Sequence, residues 1–372
     1  MKISTLKRFE FSAARQLGDG GWRGDNFALW VGVTGPLHPE TGFILNIADL
    51  KSIGLQVLDR YDHRHLNRQL PNAEPTTMNI ARALWADFEQ GWPPAVRLDS
   101  LELQEEEGAN AALITASDAV VLTYGGFSAA HRTHAPRLSE AENLALYGIC
   151  NNPAGHGHNY RFQLSLPAEF RNQVSLRNLV SELDHKNLSV DIPDLIGHNV
   201  VTETIAELIA RRAPQADRVR LWELPDFFAD YVRREAADYG LGRRYRFHAA
   251  HRLHSPVLTD EDNHRLYGKC NRPEPHGHTY TVEVTLRSPL DARTETAYDL
   301  GHLDRVAAEI LSGLDGRYLD AEAPVFASRP STGENIAVYL WDRFTSPRAI
   351  GGKLEMVRLW ETSNNQFTVT RG

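Results

Sequence analysis

The chain has 372 residues, of which 42% are hydrophobic and 24% charged, a composition typical of soluble globular proteins. The formal net charge of -8 argues against nucleic acid as the main partner, because nucleic-acid-binding surfaces are basic. The chain contains no apolar run of about 20 residues and no apolar signal core at the N-terminus, so we expect no membrane association. Two cysteines are too few for a disulfide framework, and we therefore predict a cytoplasmic protein.

The first part of the chain contains two predicted helices. An amphipathic pattern covers residues 47–61, and a second helix begins near Thr76, whose hydroxyl can cap its first turn. Between the two helices lies the polar sequence Asp-His-Arg-His-Leu-Asn at 62–67.

The middle part begins with a predicted strand at 119–127 that leads to His131. Cys150 follows in a Gly-x-Cys-Asn turn, and His156 and His158 flank a glycine. Because residues i and i+2 of a strand point to the same side, these two imidazoles share one face. If the two strands pair antiparallel, all three imidazoles converge.

The last part repeats this pattern. Residues 127–160 and 247–280 align without a gap, and 19 of the 34 positions are identical. The second copy retains the cysteine and the three histidines, at Cys270, His251, His276 and His278. A repeat that preserves these residues in register indicates a duplicated metal site.

The secondary structure of the closing segments is ambiguous in the middle part and clear in the last part. The segment 227–239 is ambiguous between a helix and a closing strand. At the end of the chain, strands are predicted at 354–360 and 366–370, separated by a polar turn at 361–365.

Three neutral nitrogens with an open fourth position are typical of catalytic zinc, whereas structural zinc usually has four protein ligands. We therefore predict two Zn2+ ions per chain. The predicted ligands are His131, His156, His158, His251, His276 and His278. Cys150 and Cys270 remain candidates for a fourth ligand, or for a nucleophile or base beside the metal.

The sequences Phe-Ser-Ala-Ala-His-Arg at 127–132, Tyr-Gly-x-Cys-Asn at 147–151 and His-Gly-His-x-Tyr at 156–160 resemble the 6-pyruvoyl-tetrahydropterin synthase family, which includes the 6-carboxy-tetrahydropterin synthases of queuosine biosynthesis. The resemblance covers nearly the whole chain. It implies an α+β fold of three tandem T-fold (ββααββ) repeats, at 1–115, 116–238 and 239–372. By analogy with the family trimer, we expect one 12-stranded antiparallel barrel with the helices outside.

The first repeat is degenerate. The sequence Phe-Ser-Ala-Ala-Arg at 11–15 places Arg15 where the other repeats have a zinc histidine, and the equivalent stretch at 18–33 contains no cysteine and no His-Gly-His. We therefore expect no metal in this repeat.

The resemblance also implies the catalytic residues. A cysteine would move a carbon-bound proton as general base and acid, with its pKa lowered by the nearby zinc and histidines. An Asp-His pair would handle a second proton, but the last repeat has Asp315-Gly316 at this point. The implied catalytic residues are Cys150, Cys270, Asp62, His63, Asp184 and His185.

Substrate binding is implied at four positions. A family glutamate that binds the pterin matches Glu361, with Glu223 and Glu105 as counterparts in the other repeats. Thr332, ahead of the last amphipathic helix, is a further candidate for substrate binding.

The reaction implied is the elimination of triphosphate from 7,8-dihydroneopterin triphosphate by a zinc-dependent lyase, giving 6-pyruvoyl-tetrahydropterin. The spacing Cys-x5-His-Gly-His favours this product over the 6-carboxy product of the queuosine pathway, which stays open as an alternative. A non-catalytic pterin-binding protein, with structural zinc held by one cysteine and three histidines, is the second alternative.

Family barrels stack in pairs, which implies a homodimer, and their active sites take the Asp-His pair from a neighbouring subunit. If each metal site uses the preceding repeat, His63 serves Cys150 and His185 serves Cys270, and both sites are complete. If each metal site uses the following repeat around the closed ring, the first repeat follows the last. His63 then completes the Cys270 site, but Cys150 faces Gly316. Self-contained repeats would leave only the middle site complete. We favour the first arrangement because both losses then fall in one inactive site.

Overall fold

The computed structural model describes residues 1–18, 20–106, 108, 110–170, 174–233 and 238–371. Three segments follow one another, each with two long strands, helices and two closing strands. In the middle and last segments a helix also lies between the two long strands. We refer to the three segments as the first, middle and last repeats. None of the helices in the described residues is long and apolar enough to span a membrane.

The first repeat confirms both predicted helices. Its elements are β1 (Lys2–Gln16), β2 (Trp22–Thr34), α1 (Ile47–Leu58), α2 (Leu66–Gln69), α3 (Thr77–Phe88), β3 (Arg97–Glu105) and β4 (Asn110–Thr115). The Asn46 side chain caps α1, and the Thr76 hydroxyl caps α3 by accepting a hydrogen bond from the backbone N–H of Asn79. Each cap satisfies a backbone donor that has no partner inside the helix.

The middle repeat resolves the first part of the ambiguous segment 227–239, residues 227–232, as a strand. Its elements are β5 (Ala119–His131), α4 (Glu140–Tyr147), β6 (His156–Pro167), α5 (Leu176–Leu183), β7 (Lys186–Asn187), α6 (Leu188–Asp191), α7 (Thr202–Arg212), β8 (Arg218–Leu224) and β9 (Phe227–Val232). Strand β9 pairs with β8, so tertiary pairing decided between two conformations that the local pattern allowed. Residues 234–237 of this segment lie outside the described residues.

The last repeat follows the same order. Its elements are β10 (Asp238–His251), α8 (Asp260–Tyr267), β11 (His276–Ser288), α9 (Leu300–Ser312), β12 (Arg317–Tyr318), α10 (Leu319–Glu322), α11 (Gly333–Thr345), β13 (Leu354–Thr362) and β14 (Asn365–Thr370). Strands β13 and β14 confirm the two strands predicted at the end of the chain.

The strand pairing is cyclic. In hydrogen-bonding order the long strands are β11, β13, β14, β1, β2, β3, β4, β5, β6, β8, β9 and β10, and β10 also pairs with β11. The long strands therefore form the closed 12-stranded antiparallel barrel, with helices outside, that the family resemblance implied. Within the described residues, closure removes the sheet edges that would expose unpaired backbone groups.

The two-residue strands attach a loop to the first strand of a repeat. In the middle repeat β7 pairs parallel with Ala129 and Ala130 of β5, and in the last repeat β12 pairs parallel with Ala249 and Ala250 of β10. In the first repeat a single bridge joins Ala14 and His65 in the same way. The residues just before these contacts are the Asp-His positions.

The chain divides into two compact parts. The larger part comprises Met1–Ala119, Tyr245–Val284 and Asp304–Gly372, and the smaller comprises Val120–Arg244 and Thr285–Leu303. In the smaller part, α5 and α7 pack their apolar faces on β5, β6 and β8. The cluster includes the fully buried side chains of Phe162, Leu183, Ile205, Ile209 and Leu221. Each such side chain contributes about 1.5–3 kcal/mol to stability through removal from water.

In the larger part, one helix of each repeat covers its own closing strands. Helix α3 contacts β3 and β4, and α11 contacts β13 and β14. The buried faces consist of Ile80, Leu84 and Phe88 on α3, and of Ile336, Leu340 and Phe344 on α11. These helices hold the strand ends at which the candidate site lies.

Candidate functional site

The middle repeat brings three histidines together. Strand β5 ends at His131 and β6 begins at His156, and the two strands pair antiparallel with His131 opposite His156 and Ala129 opposite His158. One ligand nitrogen from each of the three rings lies within 4.8 Å of the others. The predicted antiparallel pairing and the convergence of the imidazoles are confirmed.

The last repeat builds the same cluster from His251, His276 and His278, whose ligand nitrogens also lie within 4.8 Å of one another. The ring centroids of His251 and His276 are 4.5 Å apart, compared with 4.4 Å between His131 and His156. The two clusters therefore have closely similar geometry.

Hydrogen bonds to main-chain carbonyls orient one ring of each cluster. Nδ1 of His131 lies 2.7 Å from the carbonyl oxygen of Val200, and Nδ1 of His251 lies 2.9 Å from that of Ser331. Because a carbonyl only accepts, Nδ1 carries the proton and Nε2 the lone pair. Both Nε2 atoms are buried and have no hydrogen-bond partner among the described residues. Such a ring is oriented as a metal-ligating histidine usually is.

Burial favours the neutral, metal-binding form in four of the six imidazoles. Desolvation lowers the pKa of His131, His156 and His278, and it lowers that of His276 to about 4. A carboxylate beside His131 and His278 acts in the opposite direction, but the loss of water has the larger effect. At neutral pH these rings can bind a cation without first losing a proton.

Each cysteine lies beside a cluster rather than in it. Cys150 and Cys270 are half-buried in short 3-10 turns, Gly148–Asn151 and Gly268–Asn271, and their sulfurs do not belong to the histidine clusters. Burial, followed by the neighbouring glutamate, raises the pKa of each thiol. The lowered thiol pKa that we expected from the sequence therefore depends on a cation, because the protein groups alone act in the opposite direction.

Glu223 and Glu361 lie beside the clusters at β-bulges. The register shifts between Trp222 and Leu224 on β8, and between Trp360 and Thr362 on β13. The predicted turn at 361–365 is thus shorter than expected, and Glu361 belongs to β13. A bulge redirects the side chain of the extra residue.

The two carboxylates point at the histidines. Glu223 Oε1 lies 3.4 Å from His158 Nε2, and Glu361 Oε1 lies 3.8 Å from His251 Nε2. Glu223 also accepts a 2.5 Å hydrogen bond from the hydroxyl of Thr202. Thr202, the first residue of α7, is not among the predicted site residues, although it corresponds to Thr77 at the start of α3.

In the first repeat an arginine replaces the metal cluster. The register places Arg15 opposite Arg23 and Ala13 opposite Asp25, so Arg15 corresponds to His131 and Asp25 to His158. The Arg15 side chain is almost fully buried, at 2% exposure.

Its guanidinium makes three charge-assisted contacts. Nε lies 2.7 Å from Asp25 Oδ2, Nη2 lies 2.7 Å from Glu105 Oε1, and Nη1 lies 3.0 Å from the carbonyl oxygen of Pro75. The hydroxyl of Thr77 also donates to Glu105. A fixed organic cation therefore fills the place that the other repeats leave open, and the absence of metal from this repeat stays a prediction that metal analysis tests.

The Asp-His loops have the same backbone scaffold in all three repeats. The backbone N–H of Ser12 donates to Asp62 (2.9 Å) and that of Ser128 donates to Asp184 (2.8 Å). In the last repeat the N–H of His248 donates to the carboxylate of Asp315 (2.8 Å). These backbone bonds are the largest cause of the lowered pKa of Asp62 and Asp184.

The residue after each aspartate has a left-handed backbone. The φ angles are +55° at His63, +57° at His185 and +71° at Gly316. In each case the N–H donates to the carbonyl of the same strand residue, over 2.6, 2.6 and 2.7 Å. A left-handed conformation costs roughly 1–2 kcal/mol for a residue with a Cβ, whereas glycine adopts it freely. The first two repeats accept this cost to hold an imidazole there.

The imidazoles of these pairs are exposed and directed by their aspartates. Nδ1 of His63 lies 2.9 Å from Asp62, and Nδ1 of His185 lies 2.8 Å from Asp184. His185 and His158 line one shallow cavity of about 530 Å³ in the middle repeat. The corresponding cavity of the first repeat has a volume of about 410 Å³ and is lined by Arg8, Ser12, Asp62 and His63, among others.

Within the larger part of the chain, the last repeat contacts the first. The buried Thr332 hydroxyl caps α11 and donates to the carbonyl of Gly42 over 2.7 Å, so it is already engaged within the protein. Beyond Glu361, the carbonyl of Asn364 accepts from the N–H of Arg8 over 2.9 Å.

Two buried glutamates, neither of them among the predicted site residues, also make contacts between repeats. Glu334 accepts a hydrogen bond from Thr5 over 2.7 Å, and Glu203 accepts one from the N–H of Ala297 over 3.0 Å. Burial raises the pKa of each carboxyl to about 7. Both occur near the start of the helix after the Asp-His loop, and aligning those helix starts could have revealed them.

The chain is similar to proteins of known activity. A family model described as 6-pyruvoyl tetrahydropterin synthase matches residues 5–115, 123–234 and 241–372, one match for each repeat. The 6-pyruvoyl tetrahydrobiopterin synthases of Drosophila melanogaster and Homo sapiens are each 43% identical over 126 residues, or 34% of this chain, and the matches cover 75% and 86% of those proteins. The solved structure of Caenorhabditis elegans 6-pyruvoyl tetrahydropterin synthase is 36% identical with a TM-score of 0.36, covering 36% of this chain and 96% of that one.

The left-handed backbone at His185 predicts different effects of two substitutions. His185→Gly relieves the conformational cost, whereas His185→Ala removes the same imidazole and keeps a Cβ. We expect the glycine variant to be more stable than the alanine variant by about 1 kcal/mol. Urea unfolding followed by circular dichroism measures the difference. As a matched control, Gly316→Ala should lose about 1 kcal/mol, and equal stability of the two His185 variants would contradict the interpretation.

Proposed function

Because the chain belongs to the 6-pyruvoyl tetrahydropterin synthase family, we propose that it is a zinc-dependent lyase acting on 7,8-dihydroneopterin triphosphate to form 6-pyruvoyl-tetrahydropterin. The family and the similar proteins support activity of the 6-pyruvoyl tetrahydropterin synthase type. The observation that carries the proposal for this chain is the pair of three-histidine clusters, each with a cysteine and a glutamate beside it.

The donor set fits Zn2+. Three neutral imidazole nitrogens leave one coordination position for a substrate oxygen, which is the arrangement of catalytic zinc. The orphaned, buried Nε2 atoms of His131 and His251 support a cation at these points. When bound, Zn2+ supplies a Lewis acid that acidifies the carbon-bound proton of the substrate side chain and favours the cysteine thiolate.

We assign proton transfer to two kinds of group. Cys150 and Cys270 take up the carbon-bound proton as thiolates and return it as thiols. His63 and His185 exchange a proton at the side-chain hydroxyl through Nε2, while Asp62 and Asp184 hold Nδ1 and stabilise the imidazolium.

The glutamates are assigned to the pterin ring. The carboxylates of Glu223 and Glu361 can accept two parallel hydrogen bonds from the 2-amino group and the ring N–H. Glu105 has the same place in the first repeat, but it pairs with Arg15, so we assign it a structural role. Thr332 holds the segment around Gly42 and would support the site rather than contact the substrate.

The position of the cysteines argues against the non-catalytic alternative. A structural site of one cysteine and three histidines needs the sulfur among the ligand atoms, and neither sulfur belongs to a cluster. Product analysis distinguishes the 6-pyruvoyl product from the 6-carboxy product.

We propose further that the repeats are bounded at 1–115, 116–238 and 239–372, and that the protein is a cytoplasmic homodimer without nucleic-acid or membrane partners. The family resemblance supports the dimer, since family barrels stack in pairs. Light scattering tests it directly, because a monomer would refute this assembly.

Metal content is the first quantity to measure. Protein saturated with zinc and freed of excess metal should contain two Zn2+ per chain, because only two histidine clusters occur in the described residues. His156→Ala should reduce the content to one, and Arg15→Met should leave it at two. Elemental analysis that finds three ions, or fewer than two after saturation, would contradict the assignment.

The activity is tested by product analysis. Incubation of the zinc-loaded protein with 7,8-dihydroneopterin triphosphate should release triphosphate and yield 6-pyruvoyl-tetrahydropterin, identified by mass spectrometry. The double variant Cys150→Ala, Cys270→Ala should lose turnover by about 10²-fold or more while retaining its zinc. A 6-carboxy product would reassign the enzyme to the alternative, and absence of any product would refute the lyase.

The pairing of metal sites and Asp-His pairs can be decided in a single-site enzyme. Contacts within the larger part support joining the Cys270 site to His63, since Arg8 contacts the turn after Glu361 and also lines the cavity at His63. This pairing differs from the expectation from sequence, in which each metal site uses the Asp-His pair of the preceding repeat. In a Cys150→Ala background, His63→Ala should then abolish turnover and His185→Ala should spare it. The reverse result would support pairing with the preceding repeat.

A further inference from the structure

The last repeat lacks the loop histidine, but an imidazole still lies beside its aspartate. Gly316 occupies the position of His63 and His185, while Nδ1 of His248 lies 3.6 Å from Oδ1 of Asp315. His248 belongs to strand β10, at the position where the first two repeats carry a serine.

The carboxylate has the same place in all three repeats. The N–H of His248 donates to Asp315, as the N–H of Ser128 donates to Asp184, and the N–H of Gly316 returns to the carbonyl of His248. The repeats differ only in the element that carries the imidazole. It is the strand in the last repeat and the loop in the other two.

The contact uses the same atoms as the other pairs. In all three repeats Nδ1 faces the aspartate, so Nε2 is the nitrogen left for another partner. The 3.6 Å separation is longer than a hydrogen bond but within the range of an ion pair, and both side chains are more than half exposed, at 72% and 56%. Acid–base contacts are often long before substrate binds and shorten in the complex.

The two sequence differences compensate each other. Glycine at 316 removes the left-handed strain that His63 and His185 tolerate, and it also removes their imidazole. Histidine at 248 places an imidazole beside the same carboxylate from a strand position that needs no unusual backbone. Simple loss of the acid–base pair would require only the glycine at 316, and not the histidine at 248.

We propose that His248 and Asp315 form a third acid–base pair that acts on the pterin substrate, an inference that rests on the proposed function. Nε2 of His248 takes one proton from the substrate hydroxyl, Asp315 stabilises the imidazolium, and the proton then passes to water. The last repeat is therefore not inactive at this position, and the protein carries three such pairs for two histidine clusters.

The first test uses a substitution that the fold already accommodates. His248→Ser installs the residue found in the first two repeats, and it is measured in the two single-site backgrounds, Cys150→Ala and Cys270→Ala. We expect kcat to fall by about 10²-fold or more in at least one background, with KM and zinc content unchanged. His264→Ser, which removes an exposed imidazole from α8, is the matched control and should change nothing.

The rescue variant separates chemistry from structure. Adding Gly316→His to His248→Ser rebuilds the loop pair of the middle repeat on a backbone that is already left-handed, and it should restore kcat. Unchanged kcat in both backgrounds, or a loss that Gly316→His does not restore, would overturn the proposal.

A second readout does not depend on turnover. Diethyl pyrocarbonate modifies neutral imidazoles, and peptide mass spectrometry reports each site. 7,8-Dihydroneopterin, which has no triphosphate to lose, should slow modification of His248 as it slows that of His63 or His185, but not of His264. Protection of a loop histidine without His248 would reject this inference alone. If no histidine is protected and the true substrate releases no triphosphate, both the proposed function and the inference are refuted.

Discussion

The register between the first two strands of each repeat is the constraint on which the rest of the site depends. It sets residue 131 opposite residue 156, and 129 opposite 158, so that three side chains reach one point between the sheet and its helices. The first repeat keeps this register with Arg15 opposite Arg23. A shift by one residue would turn all these side chains to the other face of the strand. Barrel closure and the buried helices α3, α7 and α11 hold the register against such a shift.

A carboxylate directed at this point is the second common feature. Each repeat directs a glutamate toward it, and a buried carboxylate is costly unless a cation or hydrogen bonds compensate. In the first repeat Arg15 supplies that cation. Its Nη1 also donates to a main-chain carbonyl, and in the other repeats the imidazole Nδ1–H donates to the equivalent carbonyl. The degenerate repeat has therefore exchanged a binding site for a fixed ion-pair network. It can keep its structural place in the barrel without a metal.

The Asp-His loops combine a constant backbone scaffold with a strained residue in two of the three repeats. Backbone hydrogen bonds to the first strand fix the aspartate and the left-handed residue in every repeat, whatever the side chain at that residue. Two repeats keep a histidine in this unfavourable conformation, and the third has glycine there and a histidine on the strand instead. The scaffold is thus constant, and the chemistry attached to it varies.

The sequence by itself determined the repeat structure and the histidine clusters, because these follow from residue identity and from the period of a strand. Closing strands in a clear alternating pattern, such as β13, were also predictable. Only the tertiary structure decided that 227–232 is a strand, that Glu361 lies at a bulge and that Thr202 contacts Glu223, since each depends on pairing or contact with another element. The same reason explains His248: in the sequence it is 67 residues from Asp315, and only the parallel contact of the loop with β10 brings the two side chains together.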